Sequence, residues 1–173
     1  TDGSCEPNDD NQFGIESGYG AAMYDPDDNA LEMAGSYMND NLLGFFSRGG
    51  EKPQIVGQAE ILPCLLAQTL WGHRMTKRPV IYYLDNEAAK YGLIKGSSPS
   101  RHNALLIHKF LLYEQDVGSL GWFERVASAS NCADGPSRGH WEILQGKPRK
   151  VDIPESWGDS VLRDLRAIDS YNA

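Results

Sequence analysis

The run PVIYYL at 79–84, closed by Asp85, constrains the fold of this chain more than any other stretch. Six consecutive apolar, mostly β-favouring residues ending on a polar one predict a strand buried on both faces, as in sheets that carry helices on both sides. Upstream, three strand-like segments are predicted at about Thr1–Glu6, Ser17–Tyr24 and Leu31–Tyr37. The polar stretch Pro7–Asn11 and the DPDDN turn at Asp25–Asn29 separate them. Their short connections make antiparallel pairing the economical topology.

Between the meander and the apolar run the periodicity becomes helical. Asn39–Pro53 is irregular and Gly-rich, after which Leu62, Leu65, Leu66, Thr69 and Leu70 recur at the spacing of one buried face. Pro63 predicts that this helix begins close to Glu60 or kinks there. Further on, Glu87–Ile94 reads as a short helix stopped by Gly96, Arg101–Glu114 as a helix, and Leu120–Ala127 as a strand. Asn131–Ser137 reads as a loop or helix start, and Ser156–Ser170 as an amphipathic helix. The order β-β-β-α-β-α-α-β-α predicts an α/β fold: a mixed five-stranded sheet, three antiparallel strands followed by parallel ones, flanked by helices. Trp71, Tyr82, Tyr83 and Trp122 fall in these packed elements and read as core.

With 173 residues the chain fits one globular domain, and no apolar run approaches the roughly 18 to 20 residues of a membrane span. The opening TDGSCEPNDD lacks the basic start and apolar stretch of a signal peptide, and Thr1 in place of an initiator methionine reads as a domain cut from a longer polypeptide or as a processed product. Cys5, Cys64 and Cys132 are too few and scattered for a disulfide framework or zinc site and read as small semi-buried residues. These features point to an intracellular, reducing compartment, nucleus and cytoplasm being indistinguishable.

A net charge of −8 argues against a nucleic-acid partner until its distribution is considered. Residues 1–47 hold ten acidic residues and no Lys or Arg, a net of −10, which leaves +2 for residues 48–173. Arg74, Lys77, Arg78, Lys90, Lys95, Arg101 and Lys109 cluster with only Asp85 and Glu87 among them. One end of the domain could therefore face an anion. Solvated helix faces are the competing explanation.

Four carboxylates sit where this topology could gather them. Asp2 is on the first strand, Glu60 at the first helix, Asp85 at the end of the apolar strand, and Asp134 after the last strand. Ligand sites of open α/β sheets lie at strand ends, which makes Asp2 and Asp85 the pair expected to be adjacent. Taken singly, each is a weak signal, since an isolated Asp at a strand end is more often a turn or helix cap than a ligand.

TDGSC at 1–5 with GYGAAMY at 18–24 resembles the opening strand pair of the type 1 ribonuclease H family. QAEILPCLLA at 58–67 is similar to that family's first helix, and IYYLDNEAA at 81–89 to its strand with a terminal Asp. WFERVASASNCADGPSR at 122–138 resembles the last strand and final Asp of ribonuclease H domains in retroelement reverse transcriptases, DIRS-type ones included. The resemblance spans residues 1–138, which it makes a ribonuclease H-like domain; residues 139–173, with GKPRK at 146–150, form a C-terminal extension with a predicted helix that belongs to or packs on it.

The resemblance implies an endoribonuclease that hydrolyses the RNA strand of RNA–DNA hybrids with two Mg²⁺ or Mn²⁺ ions, and a covalently linked polymerase domain as partner. By the family pattern Asp2 bridges both ions, Glu60 and Asp85 complete one site, and Asp134 completes the other. Hard divalent ions favour carboxylate oxygens and water, so this donor set suits them and not zinc. Asn86 and Asn131, beside two of the acids, could touch a 2′-hydroxyl, with capping as the competing role. Lys95, Ser97, Arg101 and Arg138 are candidates for phosphate contact. The His that many family members place before the last Asp is missing from Val126–Cys132; His102, His108 and His140 are possible substitutes. Ser4 where D-x-E exonucleases have an acid, and Glu as the second acid, separate the chain from exonuclease and integrase patterns. The alternative reading is a catalytically silent ribonuclease H-like nucleic-acid-binding or connection module.

Overall fold

A computed structural model of the chain describes residues 1–47, 55–141 and 148–171. Strands β1 (Asp2–Pro7), β2 (Ile15–Asp25) and β3 (Ala30–Tyr37) form the expected antiparallel meander, with Asp2 opposite Gly20 and Gly20 opposite Gly35. The turns close on their own side chains: Asn11 Oδ1 accepts the Phe13 amide at 2.9 Å, and Asp25 Oδ1 accepts that of Asp27 at 3.1 Å. β4 (Pro79–Leu84) and β5 (Leu120–Arg125) pair in parallel. A two-residue strand, β6 (Arg149–Lys150), lies parallel to β3.

The structure is therefore α/β with antiparallel and parallel strands flanked by helices, but not one five-stranded sheet. A four-stranded sheet, β1-β2-β3-β6, stands beside the β4-β5 pair. Thr1 links the two: its amino group donates to the Tyr83 carbonyl at 2.9 Å. β1 starts one residue later, past this meeting point, and no ladder joins it to β4.

Helix α1 (Asp40–Phe46) replaces part of the segment read as irregular. Asn39 caps it by accepting the Leu42 amide at 3.0 Å, and its buried Leu42, Leu43, Phe45 and Phe46 anchor it in the core. Residues 48–53 of that segment lie outside the described residues, as do Gly146 and Lys147 of the GKPRK run and the terminal Ala173.

Helix α2 (Val56–Met75) begins four residues before Glu60 and runs through Pro63. An interior proline costs about 3 kcal/mol, against about 1.5–3 kcal/mol for each large apolar side chain fully buried. Ile61, Leu62, Leu66 and Trp71 are all fully buried, so packing outweighs the lost backbone bond. Because the opposite side, with Ile61, Cys64 and Gln68, is buried too, α2 is a central helix and not one with a single buried face.

Helices α3 (Glu87–Lys95) and α4 (Arg101–Val117) follow, each capped by a polar side chain, Asn86 and Ser100, and ended by a left-handed glycine, Gly96 at φ 67° and Gly118 at φ 68°. A 3-10 turn at Ser128–Ser130 leads to the one-turn α5 (Asp134–Ser137), which lies against β1, β2 and β3. α6 (Trp157–Tyr171) packs on α1 and α4, with the Trp157 ring 5.2 Å from that of Tyr19.

The apolar strand is not buried on both faces. Tyr82 and Leu84 of β4 are buried, while Ile81 and Tyr83, and Trp122 of β5, are more than half exposed. Tyr82 stacks on Phe123 and meets Phe110 of α4 on the covered side; no described helix lies over the other. Tyr83 and Trp122 are thus surface residues and not core. Among the cysteines, Cys64 is buried and Cys132 exposed, so the semi-buried description fits only Cys5.

The charge asymmetry is largely resolved by internal pairing. Arg74 meets Asp25, Asp28 and Glu32, and Arg78 meets Asp25 and Asp27. Lys90 pairs with Glu87, Arg101 with Asp169 and Lys109 with Asp164. Much of the basic stretch answers the acidic meander and α6 instead of forming an open cationic face.

Candidate metal centre

Strand alternation sets the site. Asp2 and Ser4 point to the face of the meander that carries α5, and Gly3 between them points at α2. A Cβ on Gly3 would lie 2.4 Å from the Ala59 carbonyl carbon, so only glycine lets β1 lie directly on α2. That contact brings the start of β1 to the first turns of α2, where Glu60 sits. Asp85 leaves the end of β4 just before the Asn86 cap of α3.

Asp2, Glu60 and Asp85 converge. Each offers a carboxylate oxygen, and the three atoms lie within 4.8 Å of one another. Asp2 and Glu60 are buried at 3% and 6% exposure, and Asp85 is half-buried. Three carboxylates at this depth cannot all stay ionised and unpaired. Burial, reinforced by Asp85 and Asp2, pushes the Glu60 carboxyl up to about 8, although the Gly3 amide donates to it. Burial likewise raises Asp2, with Asp85 and Asp134 adding to the rise and the Ser137 hydroxyl opposing it. Glu60 Oε2 and Asp85 Oδ1 are buried without a hydrogen-bond partner. Two orphaned oxygens in an all-oxygen donor set fit a hard divalent cation.

Asp134 stands nearby but outside the trio. Its carboxylate accepts from Arg138 Nε at 3.1 Å, and Arg138 also bonds Glu6. None of the described histidines joins the cluster; the His102 ring packs on Phe45 and Phe46, and His108 lines a groove on α4.

The other candidates divide. Asn86 caps α3, accepting the Ala89 amide at 3.0 Å. Asn131 is buried, and its amide donates to Asp2 Oδ1 and to the Thr1 carbonyl, both at 3.0 Å, so it faces the carboxylate instead of solvent. Lys95, the last residue of α3, and Ser97, just past it, are exposed at the far end of that helix. Nine helical residues separate them from Asp85 by about 13 Å. Ser97 and Arg101 there line a groove of about 660 Å³. Arg138 is the cation that the fold does bring to the carboxylates.

Sequence reading missed Ser137. Its fully buried hydroxyl donates to Asp2 Oδ2 at 2.5 Å and lies 2.9 Å from the Asp134 carbonyl oxygen. The available signal was its place three residues after Asp134 in the DGPS turn.

No protein-family model, curated protein or solved structure matches the chain.

Proposed function

We propose that the chain is a divalent-metal-dependent endonuclease that hydrolyses the RNA strand of RNA–DNA hybrids, as the ribonuclease H domain of a retroelement reverse transcriptase whose polymerase domain is covalently linked. The observation that carries this reading is the convergence of Asp2, Glu60 and Asp85 within 4.8 Å, two of their buried oxygens lacking a partner. The order of the four acidic motifs supports it. Asp2, Glu60 and Asp85 would hold one Mg²⁺ or Mn²⁺, and Asp134 with Asp2 would hold a second. Two such ions supply an activated water and neutralise charge on the leaving oxygen.

The residues prepare that chemistry in definite ways. Burial and the neighbouring carboxylates favour a proton on Glu60 near neutral pH, which a bound cation would displace. The half-buried Asp134 would serve as a ligand once its ion pair with Arg138 opened, and the guanidinium would then be free for a substrate phosphate. Burial of Asp2 and Glu60 limits water around the reacting phosphate.

A labelled RNA–DNA hybrid incubated with Mg²⁺ or Mn²⁺ tests this directly. Internal cuts in the RNA strand alone are expected, and these disappear in Asp85→Asn. Asp134→Asn should lower kcat at least tenfold, about 1.4 kcal/mol of transition-state stabilisation. Intact RNA under both metals rules the nuclease out. One observation favours the silent-module alternative: Arg138 already neutralises the fourth carboxylate. Hybrid binding without cleavage by the intact chain decides for it.

A further inference from the structure

Both oxygens of Asp2 are held from one side. Asn131 Nδ2 donates to Oδ1 at 3.0 Å, and Ser137 Oγ donates to Oδ2 at 2.5 Å. A carboxylate has about four lone-pair positions, so this clamp leaves two for the side occupied by Glu60 and Asp85.

We propose that Asn131 and Ser137 are positioning residues that hold the Asp2 carboxylate in the orientation in which it accepts the divalent cation, and that a glycine floor on β2 and β3 seats Ser137 there. The inference rests on the nuclease reading above and adds the device that prepares its first ligand.

The seat is built from backbone. A Cβ on Gly18 would lie 1.9 Å from the Ser137 carbonyl oxygen, one on Gly20 2.6 Å from the Ser137 nitrogen, and one on Gly35 2.3 Å from the Pro136 oxygen. No side chain fits at any of the three. Gly20 faces both Asp2 and Gly35 across the sheet, so the floor and the ligand share one face. The Ser137 carbonyl is tied down by Ser4 Oγ at 2.8 Å, and Ser4 Oγ in turn accepts the Gly18 amide at 3.1 Å. Asn131 is fixed separately, since its Oδ1 accepts the Ala133 amide at 3.2 Å and its Nδ2 also holds the Thr1 carbonyl.

Such a clamp acts before any ligand arrives. Without it the Asp2 side chain turns to other rotamers, and part of the cation's binding energy goes into ordering it again. Neither residue touches the cation or the substrate. The defect on removing them is therefore in metal affinity, and excess metal overcomes it.

The test is Mn²⁺ titration by calorimetry of the full chain, Ser137→Ala and Asn131→Ala, with Ser130→Ala on the exposed 3-10 turn as control. About a tenfold or greater rise in the Mn²⁺ Kd is expected for each of the first two variants and none for the control. In hybrid cleavage, kcat should fall at limiting Mn²⁺ and recover at saturating Mn²⁺, with KM for the hybrid unchanged. Unfolding midpoints of the metal-free proteins separate this from a purely structural role. Affinities within twofold of wild type in both variants overturn the proposal, as does a loss that tracks a collapse of the unfolding midpoint. Failure of the wild-type chain to bind Mn²⁺ overturns the metal-site reading and this one with it, an outcome visible in the first titration alone.

Discussion

Glu60 and Asp85 each leave one buried carboxylate oxygen without a partner, and their ligand atoms lie within 4.8 Å of each other. At an effective dielectric of about 20, two full charges at that distance repel by roughly 3 kcal/mol, so the pair calls for a proton or a cation between them. Mn²⁺ or Mg²⁺ should therefore raise the thermal unfolding midpoint, by about 2.7 kcal/mol of stabilisation at a hundredfold excess over Kd. Differential scanning fluorimetry reads this, and Asp85→Asn should remove most of the shift. An equal shift in wild type and variant places the ion elsewhere.

The metal-free chain should lose stability as the pH rises from about 4.5 to 8. Glu60 has its folded-state pKa raised from 4.5 to about 8, so in this window the native state holds a proton that the unfolded chain has released. The contribution is complete below 4.5 and gone above 8. Urea denaturation with chelator present should show a decline on the order of 2–4 kcal/mol across the window. In Glu60→Gln the decline should be much smaller, leaving the variant more stable than wild type at pH 9.

At the other end of the molecule the sign reverses. Arg78 and then the Asp27 amide hold the Asp25 carboxylate down to about 2, against an ordinary 3.8, with Arg74 adding to the fall. This contribution is present above pH 3.8 and disappears as the pH falls towards 2. Asp25→Asn should be less stable than wild type at pH 6 and should lose less stability between pH 4 and 2. Circular dichroism along an acid titration measures the difference. Parallel titration curves for the two proteins contradict the assignment.

Gly18→Ala should displace α5. Its new methyl would lie 1.9 Å from the Ser137 carbonyl oxygen, which is backbone and has little freedom to yield. Overpacking of this kind costs about 1–3 kcal/mol. Chemical denaturation should show that loss. Gly14→Ala makes no close contact but sits at φ 68°, so it should cost stability through backbone strain while leaving Mn²⁺ binding intact.

The sequence by itself determined the order and type of most elements, because their signals are local. The DPDDN turn, the Asn86 cap, the stop at Gly96 and the length of PVIYYL each act within a few residues of where they are read. It also placed Asp2, Glu60 and Asp85 on elements that do converge. α1 was less legible, since its helical state depends on packing across more than a hundred residues against α6. So was the burial of α2, whose pattern shows one face while tertiary packing covers nearly all of it.

Only the tertiary structure decided which polar groups meet. GYG in β2 reads as small strand residues, and nothing local shows that Gly18 and Gly20 lie under a turn more than a hundred residues later. Asn131 reads equally well as a cap, a base contact or a clamp until Asp2 is seen 3.0 Å away. The basic cluster at 74–109 reads as a surface for anions, yet Arg74 and Arg78 are engaged by the meander's carboxylates. A side chain's identity sets what it can bond to. Chain folding over long separations sets which partner comes within 3 Å, and there the choice is made by packing and desolvation.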